Sequence, residues 1–164
     1  MKKPSEEQNH LTFRKAELSD LEGIVAMLAD DFLGGPRENF QIPLPQSYVE
    51  AFLKIDRDPS TLLVALDYDG KLIGTMQLIF IFGLSFQGRT KMKVEAVRVH
   101  SNFRGRGIGK AMMDWAVAEG RRRGCAAVQL VTSVERKDTH RFYERFGFES
   151  SSLLAMELNI EKQN

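Results

Sequence analysis

Residues 93–124 constrain this chain more than any other stretch. They read KVEAVRVH, then SNFRGRGIGK, then AMMDWAVAEGRRRG. The first piece has the pattern of a strand, because Val94, Ala96, Val97 and Val99 form a mostly β-branched apolar run. The last piece has the pattern of a helix, with Ile108, Ala111, Met112, Trp115 and Ala116 on one face. Gly124 closes that helix after three arginines, a basic run that suits the negative end of a helix dipole. A glycine-rich basic turn joins the two.

The chemistry of that turn points to an anion. Gly105, Gly107 and Gly109 allow positive φ and a close approach of backbone to ligand. Free N–H groups at a helix start, together with the helix dipole, suit a phosphate, and Arg104, Arg106 and Lys110 add charge. The alternative is an ordinary strand-to-helix connection. Two familiar phosphate loops do not fit. A P-loop requires Ser or Thr after its Gly-Lys, and here Ala111 follows Gly109-Lys110. A dinucleotide fingerprint requires G-x-G-x-x-G directly after a strand. Here the spacing is G-x-G-x-G, and residues 100–104 intervene after Val99.

The remaining segments read in order as follows. Residues 10–15 alternate as a strand. Ser19 or Asp20 is expected to cap a helix presenting Leu21, Ile24, Val25, Leu28 and Phe32. Gly34-Gly35-Pro36 breaks it, and a second helix runs over 46–56. Residues 61–67 and 71–82 are strands joined at the hairpin signal Asp69-Gly70, with a bulge expected near Gly74. The strand over 92–100 and the central helix follow. Residues 126–133 form another strand, Asp138 or Thr139 opens a short helix through Arg145, and 153–159 is the last strand. The order β-α-α-β-β-β-α-β-α-β gives an α/β (α+β) fold: a mixed sheet with helices on both faces.

At 164 residues, with 43% apolar and 27% charged content, the chain suits one soluble domain. A formal net charge of +1 gives no general attraction to nucleic acid or membrane. The single cysteine, Cys125, cannot form an internal disulfide, which points to a reducing cytoplasm. It reads as a small buried residue rather than a nucleophile. Residues 1–9 read as a disordered tail without a signal peptide, and the apolar stretch 78–86 is too short to span a bilayer. No His, Cys and carboxylate cluster has metal-ligand spacing, so no metal is expected.

Arg104-Gly105-Arg106-Gly107-Ile108-Gly109 resembles motif A of the GNAT superfamily of CoA-dependent N-acyltransferases, Q/R-x-x-G-x-G/A. The later block HRFYERFGF resembles that family's F-Y-x-x-x-G-F block, and the two together cover about the C-terminal half of the chain. The resemblance implies a single N-acetyltransferase domain over 10–160 with a mainly antiparallel sheet. It implies acetyl-CoA as cosubstrate, with pyrophosphate on residues 104–110, mainly through backbone N–H groups. Pantetheine would lie along Val97, Arg98 and Val99, where two central strands splay apart.

It also implies transfer of an acetyl group to a primary amine of a small molecule or peptide by direct attack. Alkylammonium groups titrate near about 10.4, so a base is needed at neutral pH. Glu95, on the strand before the loop, is the candidate base. Alternatively it pairs with a neighbouring strand's cation on a solvated face. Tyr143, in the F-Y pair, is the candidate acid for the leaving thiolate, or else a core tyrosine bonded elsewhere. The asparagine common before that pair in relatives is replaced here by the region of Asp138, Thr139 and His140. Acceptor specificity would come from residues 30–45 and 80–91. There Asp30, Asp31 and Glu38 could attract a cationic amine, or be ordinary solvated charges. The expected partners are acetyl-CoA and an amine, with no nucleic acid or membrane, in a monomer or homodimer. A second reading is a non-catalytic CoA-binding regulatory module.

Overall fold

The computed structural model describes residues 10–31 and 34–150, together with 156, 158 and 160. The chain divides into two compact units, Met1–Val131 and Thr132–Asn164.

In the first unit five strands form one sheet in the order β1-β2-β3-β4-β5. They are β1 (Leu11–Lys15), β2 (Thr61–Tyr68), β3 (Lys71–Ile81), β4 (Lys91–Val99) and β5 (Ala127–Leu130). All neighbouring pairs are antiparallel except β4 with β5, which is parallel. Helices α1 (Leu21–Ala29), α2 (Gln46–Arg57) and α3 (Ile108–Arg122) cover this sheet. The expected mixed, mainly antiparallel sheet is therefore the one observed.

Side-chain alternation assigns the faces. Leu63 and Ala65 of β2 belong to one apolar cluster with Ile24 and Val25 of α1 and Phe52 of α2. The opposite face carries α3. Phe13 stacks on Trp115 at 5.0 Å between ring centroids. A Cβ on Gly74 would lie 3.3 Å from Met112 Sδ, so the missing side chain lets sheet and helix approach closely. The β2–β3 hairpin turns at Asp69 and Gly70, with φ of 49° and 75°. Two positive φ values are what a tight two-residue hairpin turn requires. The expected bulge near Gly74 is present: Leu66 pairs with Gly74 and Asp67 with Leu72, leaving Ile73 as the extra residue.

Some boundaries differ from expectation. Helix α1 ends at Ala29, and Phe32 lies outside the described residues. Neither Ser19 nor Asp20 caps α1 with its side chain. The Asp20 carboxylate instead takes the Glu17 N–H (2.8 Å) and two Arg14 nitrogens (2.6 and 2.8 Å). A charged acceptor nearly buried beside a guanidinium gains more from that fork than from a backbone cap. Strand β5 stops at Leu130, three residues short of expectation. The turn expected over 83–90 is present, with Phe86 and Gln87 left-handed.

The second unit contains α4 (Lys137–Phe146), closed by Gly147 at φ 107°. Asp138 and Thr139 do not cap it; the helix begins before them, with Arg136 at the cap position and no side-chain cap bond. Most of the expected last strand, 153–159, lies outside the described residues. Among the described residues no helix is long and apolar enough to cross a membrane.

Candidate functional site

Strand β4 changes character halfway along. Its first four residues pair with both neighbours, and the parallel ladder to β5 runs from Lys91↔Ala127 to Val94↔Leu130 and stops there. On the other side Gln77 pairs with Glu95 and Thr75 with Arg98. Two residues, Ala96 and Val97, therefore oppose the single Met76, which defines a bulge. Ala96 sits at φ 50°, a left-handed conformation that costs a non-glycine residue about 1–2 kcal/mol. In sequence Val94, Ala96, Val97 and Val99 read as one apolar run, and the signal missed there is a phase slip: Val94 and Ala96 keep one alternation, Val97 and Val99 the other.

The bulge decides where side chains point. Glu95, Gln77 and Leu63 are successive cross-strand partners, which puts Glu95 on the α1/α2 face. Arg98 opposite Thr75 shares that face, which an unbulged strand would deny it. The Glu95 side chain is 40% exposed and forms an ion pair with Lys93. The cation comes from its own strand, two residues earlier, rather than from a neighbouring one.

Beyond Val99, a 3-10 turn at Ser101–Phe103 leads into the glycine loop. Gly105 and Gly107 have φ of 77° and 80°. A Cβ at either would meet nothing within 4 Å, so backbone conformation, not space, demands glycine. Gly109 does not share this role, contrary to expectation. It is the second residue of α3 and is absent from the positive-φ positions, because the helix has already begun. Ile108, 4% exposed, anchors that first turn in the core.

Backbone bonding resumes with Ala111 N–H to Gly107 O at 3.1 Å. The N–H groups of Gly105, Gly107, Ile108 and Gly109 have no backbone acceptor among the described residues. A helix start with donors in this state, on a loop open to solvent, can hold an anionic diphosphate.

The basic side chains around the loop have contacts within the chain. Arg106 lies 5.4 Å from the Phe103 ring centroid, and Lys110 pairs with Asp114 at 2.6 Å. Arg104 donates from Nε to Val99 O (3.0 Å) and from Nη2 to both the backbone and carboxylate oxygens of Asp30 (2.8 and 3.0 Å). Arg98 donates from Nη1 to Val97 O (2.9 Å) and reaches Asp31 Oδ2 at 3.5 Å. Glu38 accepts from the Tyr48 hydroxyl at 2.7 Å. All three acidic residues of the 30–45 stretch thus have partners inside the chain. Those links span 67 and 74 residues for the two arginines, and no local pattern announces them.

Cys125 is half-buried, and burial pushes its thiol up, away from the thiolate form a nucleophile needs. Arg14 holds the Asp20 carboxyl below the usual carboxylate range. Among the described residues no group of three His, Cys, Asp or Glu side chains could hold a metal ion.

In the second unit, Tyr143 is half-buried on α4 between two rings, with centroids 5.1 Å from Phe142 and 5.5 Å from Phe148. His140 donates from Nε2 to Ser133 O at 2.7 Å, which fixes its ring. Phe146 packs against Phe148 at 5.9 Å.

A solved structure named as a transcriptional regulator from Bacillus halodurans is 40% identical, covers 92% of this chain and 100% of its own, and superposes with a TM-score of 0.87. An aminoalkylphosphonate N-acetyltransferase of Salmonella typhimurium is 28% identical over 65% of this chain and 68% of its own length. An uncharacterized N-acetyltransferase of Methanocaldococcus jannaschii is 28% identical over 71% of this chain, a match that spans half of the archaeal protein. The family model described as Acetyltransferase (GNAT) family matches residues 25–148, most of the chain, and the chain belongs to that family.

Proposed function

We propose that this protein is an N-acetyltransferase that moves an acetyl group from acetyl-CoA to a primary amine of a small molecule or peptide. The observation that carries this reading is the junction of two features. The glycine loop presents backbone N–H groups at the start of α3, and β4 runs on toward that loop after its pairing with β5 has ended at Val94↔Leu130. The first suits a diphosphate; the second leaves strand backbone for an amide-bearing arm such as pantetheine.

Acetyl-CoA supplies the activated acetyl thioester. In this reading the N–H groups of Gly105, Gly107, Ile108 and Gly109 hold its pyrophosphate, and the backbone of residues 97–99 lines its arm. The Glu95 carboxylate, on the α1/α2 face and half open to solvent, takes a proton from the incoming ammonium, directly or through water. The free amine attacks the thioester carbonyl, the C–N bond forms and the C–S bond breaks. The acylated nitrogen gives up its extra proton, and on the family resemblance alone the Tyr143 hydroxyl is assigned as the group that protonates the departing sulfur and is itself reprotonated by the released proton. Support for Tyr143 is its place in the F-Y-x-x-x-G-F block. Cys125, with its thiol pushed up by burial, has no part in the direct route.

The name borne by the Bacillus halodurans structure favours one other reading, a regulatory module that binds CoA without turnover. Thiol release from acetyl-CoA across a panel of amines separates the two, and an aminoalkylphosphonate belongs in the panel because a relative bears that substrate's name. Calorimetry on Gly107→Glu completes the test, since a left-handed position and a phosphate cradle both resist a carboxylate. Affinity is expected to fall about 100-fold or more, from roughly 1–2 kcal/mol of backbone strain plus charge repulsion. Unchanged affinity in a folded variant places the cofactor elsewhere. Binding without thiol release for any amine favours the regulatory module.

A further inference from the structure

The two arginines that border the glycine loop do not simply project toward it. Arg104 places three hydrogen bonds on two distant places at once, Val99 O at the end of β4 and Asp30 at the end of α1. Arg98, turned onto the α1/α2 face by the bulge, does the same for Val97 O and Asp31. Asp31 in turn accepts the Gly34 N–H at 2.7 Å, so the chain leaving α1 is tied into the same network. Helix α1 ends at Ala29, and its C-terminal carbonyls need donors; the Arg104 contact to Asp30 O lies where such a donor is useful.

We propose that Arg104 and Arg98 are positioning residues that clamp the end of α1 to the second half of β4. They set the acceptor side and the cofactor side of the site as one unit. The acceptor side is identified by Glu95, which the register places on the α1/α2 face of the sheet. The cofactor side is the strand backbone of Val97 and Val99, whose carbonyls the same arginines engage. Two consequences follow. Asp30 and Asp31 serve the clamp rather than attracting a cationic acceptor. The Arg104 side chain acts through geometry and not as the counter-charge of a pyrophosphate.

The functional half of this inference rests on the acetyltransferase reading; the structural half does not, and the test has an arm for each. The first arm is hydrogen exchange on the protein without acetyl-CoA. Arg104→Ala is expected to speed exchange about 3- to 10-fold both in residues 26–31 and in residues 97–107, the size expected for losing a few charge-assisted bonds at a half-exposed site. Asp30→Asn, which keeps the backbone acceptor, should produce a smaller change in the same two stretches. Arg104→Lys, which retains charge but lacks the fork, should resemble Ala. Exchange altered in 97–107 alone, or full rescue by Lys, overturns the clamp.

The second arm compares acetyl-CoA with acetyl-pantetheine, which has no pyrophosphate. A clamp predicts that Arg104→Ala lowers kcat/KM for the amine by the same factor with both donors. A loss confined to acetyl-CoA overturns the proposal and makes Arg104 a phosphate ligand. If the wild-type protein turns over neither donor, the acetyltransferase reading fails, while the exchange arm still decides whether the clamp exists.

Discussion

The two halves of β4 are built from similar residues and live in different physical settings. Residues 91–94 have a neighbour on each side, and Met92 and Val94 are 0% and 2% exposed. Residues 95–99 keep the ladder to β3, interrupted by the bulge, but the ladder to β5 has ended. Glu95, Val97, Arg98 and Val99 are half-buried, and Ala96 is exposed in a left-handed conformation. One half fixes the strand in the core. The other is held rigidly by that anchor and presents backbone and one carboxylate outward. A strand whose ladder to one partner ends early leaves backbone without that partner and does not become a loose loop.

Substitutions in the two halves should therefore fail in different ways. In the presenting half, Glu95→Gln should lower turnover by about 10²- to 10⁴-fold while leaving thermal stability close to wild type. The loss should shrink as pH rises, because free amine then becomes abundant without help. A pH–rate profile with one good acceptor checks this, and a profile parallel to wild type would reduce Glu95 to the structural partner of Lys93. In the anchoring half, Met92→Ala should cost about 2–4 kcal/mol in stability, since its side chain is fully buried beside Gly120. Its affinity for acetyl-CoA, measured on folded protein, should stay near wild type. Urea unfolding and calorimetry on one sample separate the two effects.

A second contrast, between the two ends of α1, sharpens the first. The start is held by Asp20, which is 9% exposed and bonded by Arg14. The end is held by the exposed Arg104–Asp30 pair. Because Arg14 lowers the folded pKa of Asp20, its contribution is present above the unfolded value of about 3.9 and is lost as pH falls through the lower folded value. Stability measured by urea midpoints from about pH 5 downward should therefore fall more steeply in wild type than in Asp20→Asn. Parallel slopes would remove Asp20 from the account of acid lability.

The smallest effect is expected at the bulge itself. Ala96→Gly relieves a left-handed alanine worth about 1–2 kcal/mol but adds chain entropy of about 0.5–1 kcal/mol. A net gain near 0.5 kcal/mol should appear as a slightly higher Tm.

What the sequence disclosed was local. The Asp69-Gly70 hairpin, helix α2, and the ends of α3 and α4 at Gly124 and Gly147 follow from residues a few positions apart, and the structure has them. The glycine loop was legible for the same reason, although its third glycine belongs to the helix. The bulge at Ala96 left a phase slip, a weaker signal because it is spread over one strand. The caps expected of Asp20, Asp138 and Thr139 did not form. For Asp20 a half-buried arginine from β1, Arg14, competes for the same oxygens, and no helix-start rule contains that residue. The pairs from Arg98 to Asp31 and from Arg104 to Asp30 lie beyond any window of pattern. They exist because the fold brings the end of α1 over β4 and because one extra residue turns Arg98 to that side.

On the proposed reading, the second half of β4 and the glycine loop together form the acetyl-CoA site. Backbone hydrogen exchange with and without saturating acetyl-CoA tests it most directly. Protection should appear in residues 95–99 and 105–109, while residues 91–94, already bonded on both sides, should change little. Protection that leaves both 95–99 and 105–109 unchanged, or that appears only elsewhere in the chain, would contradict the claim.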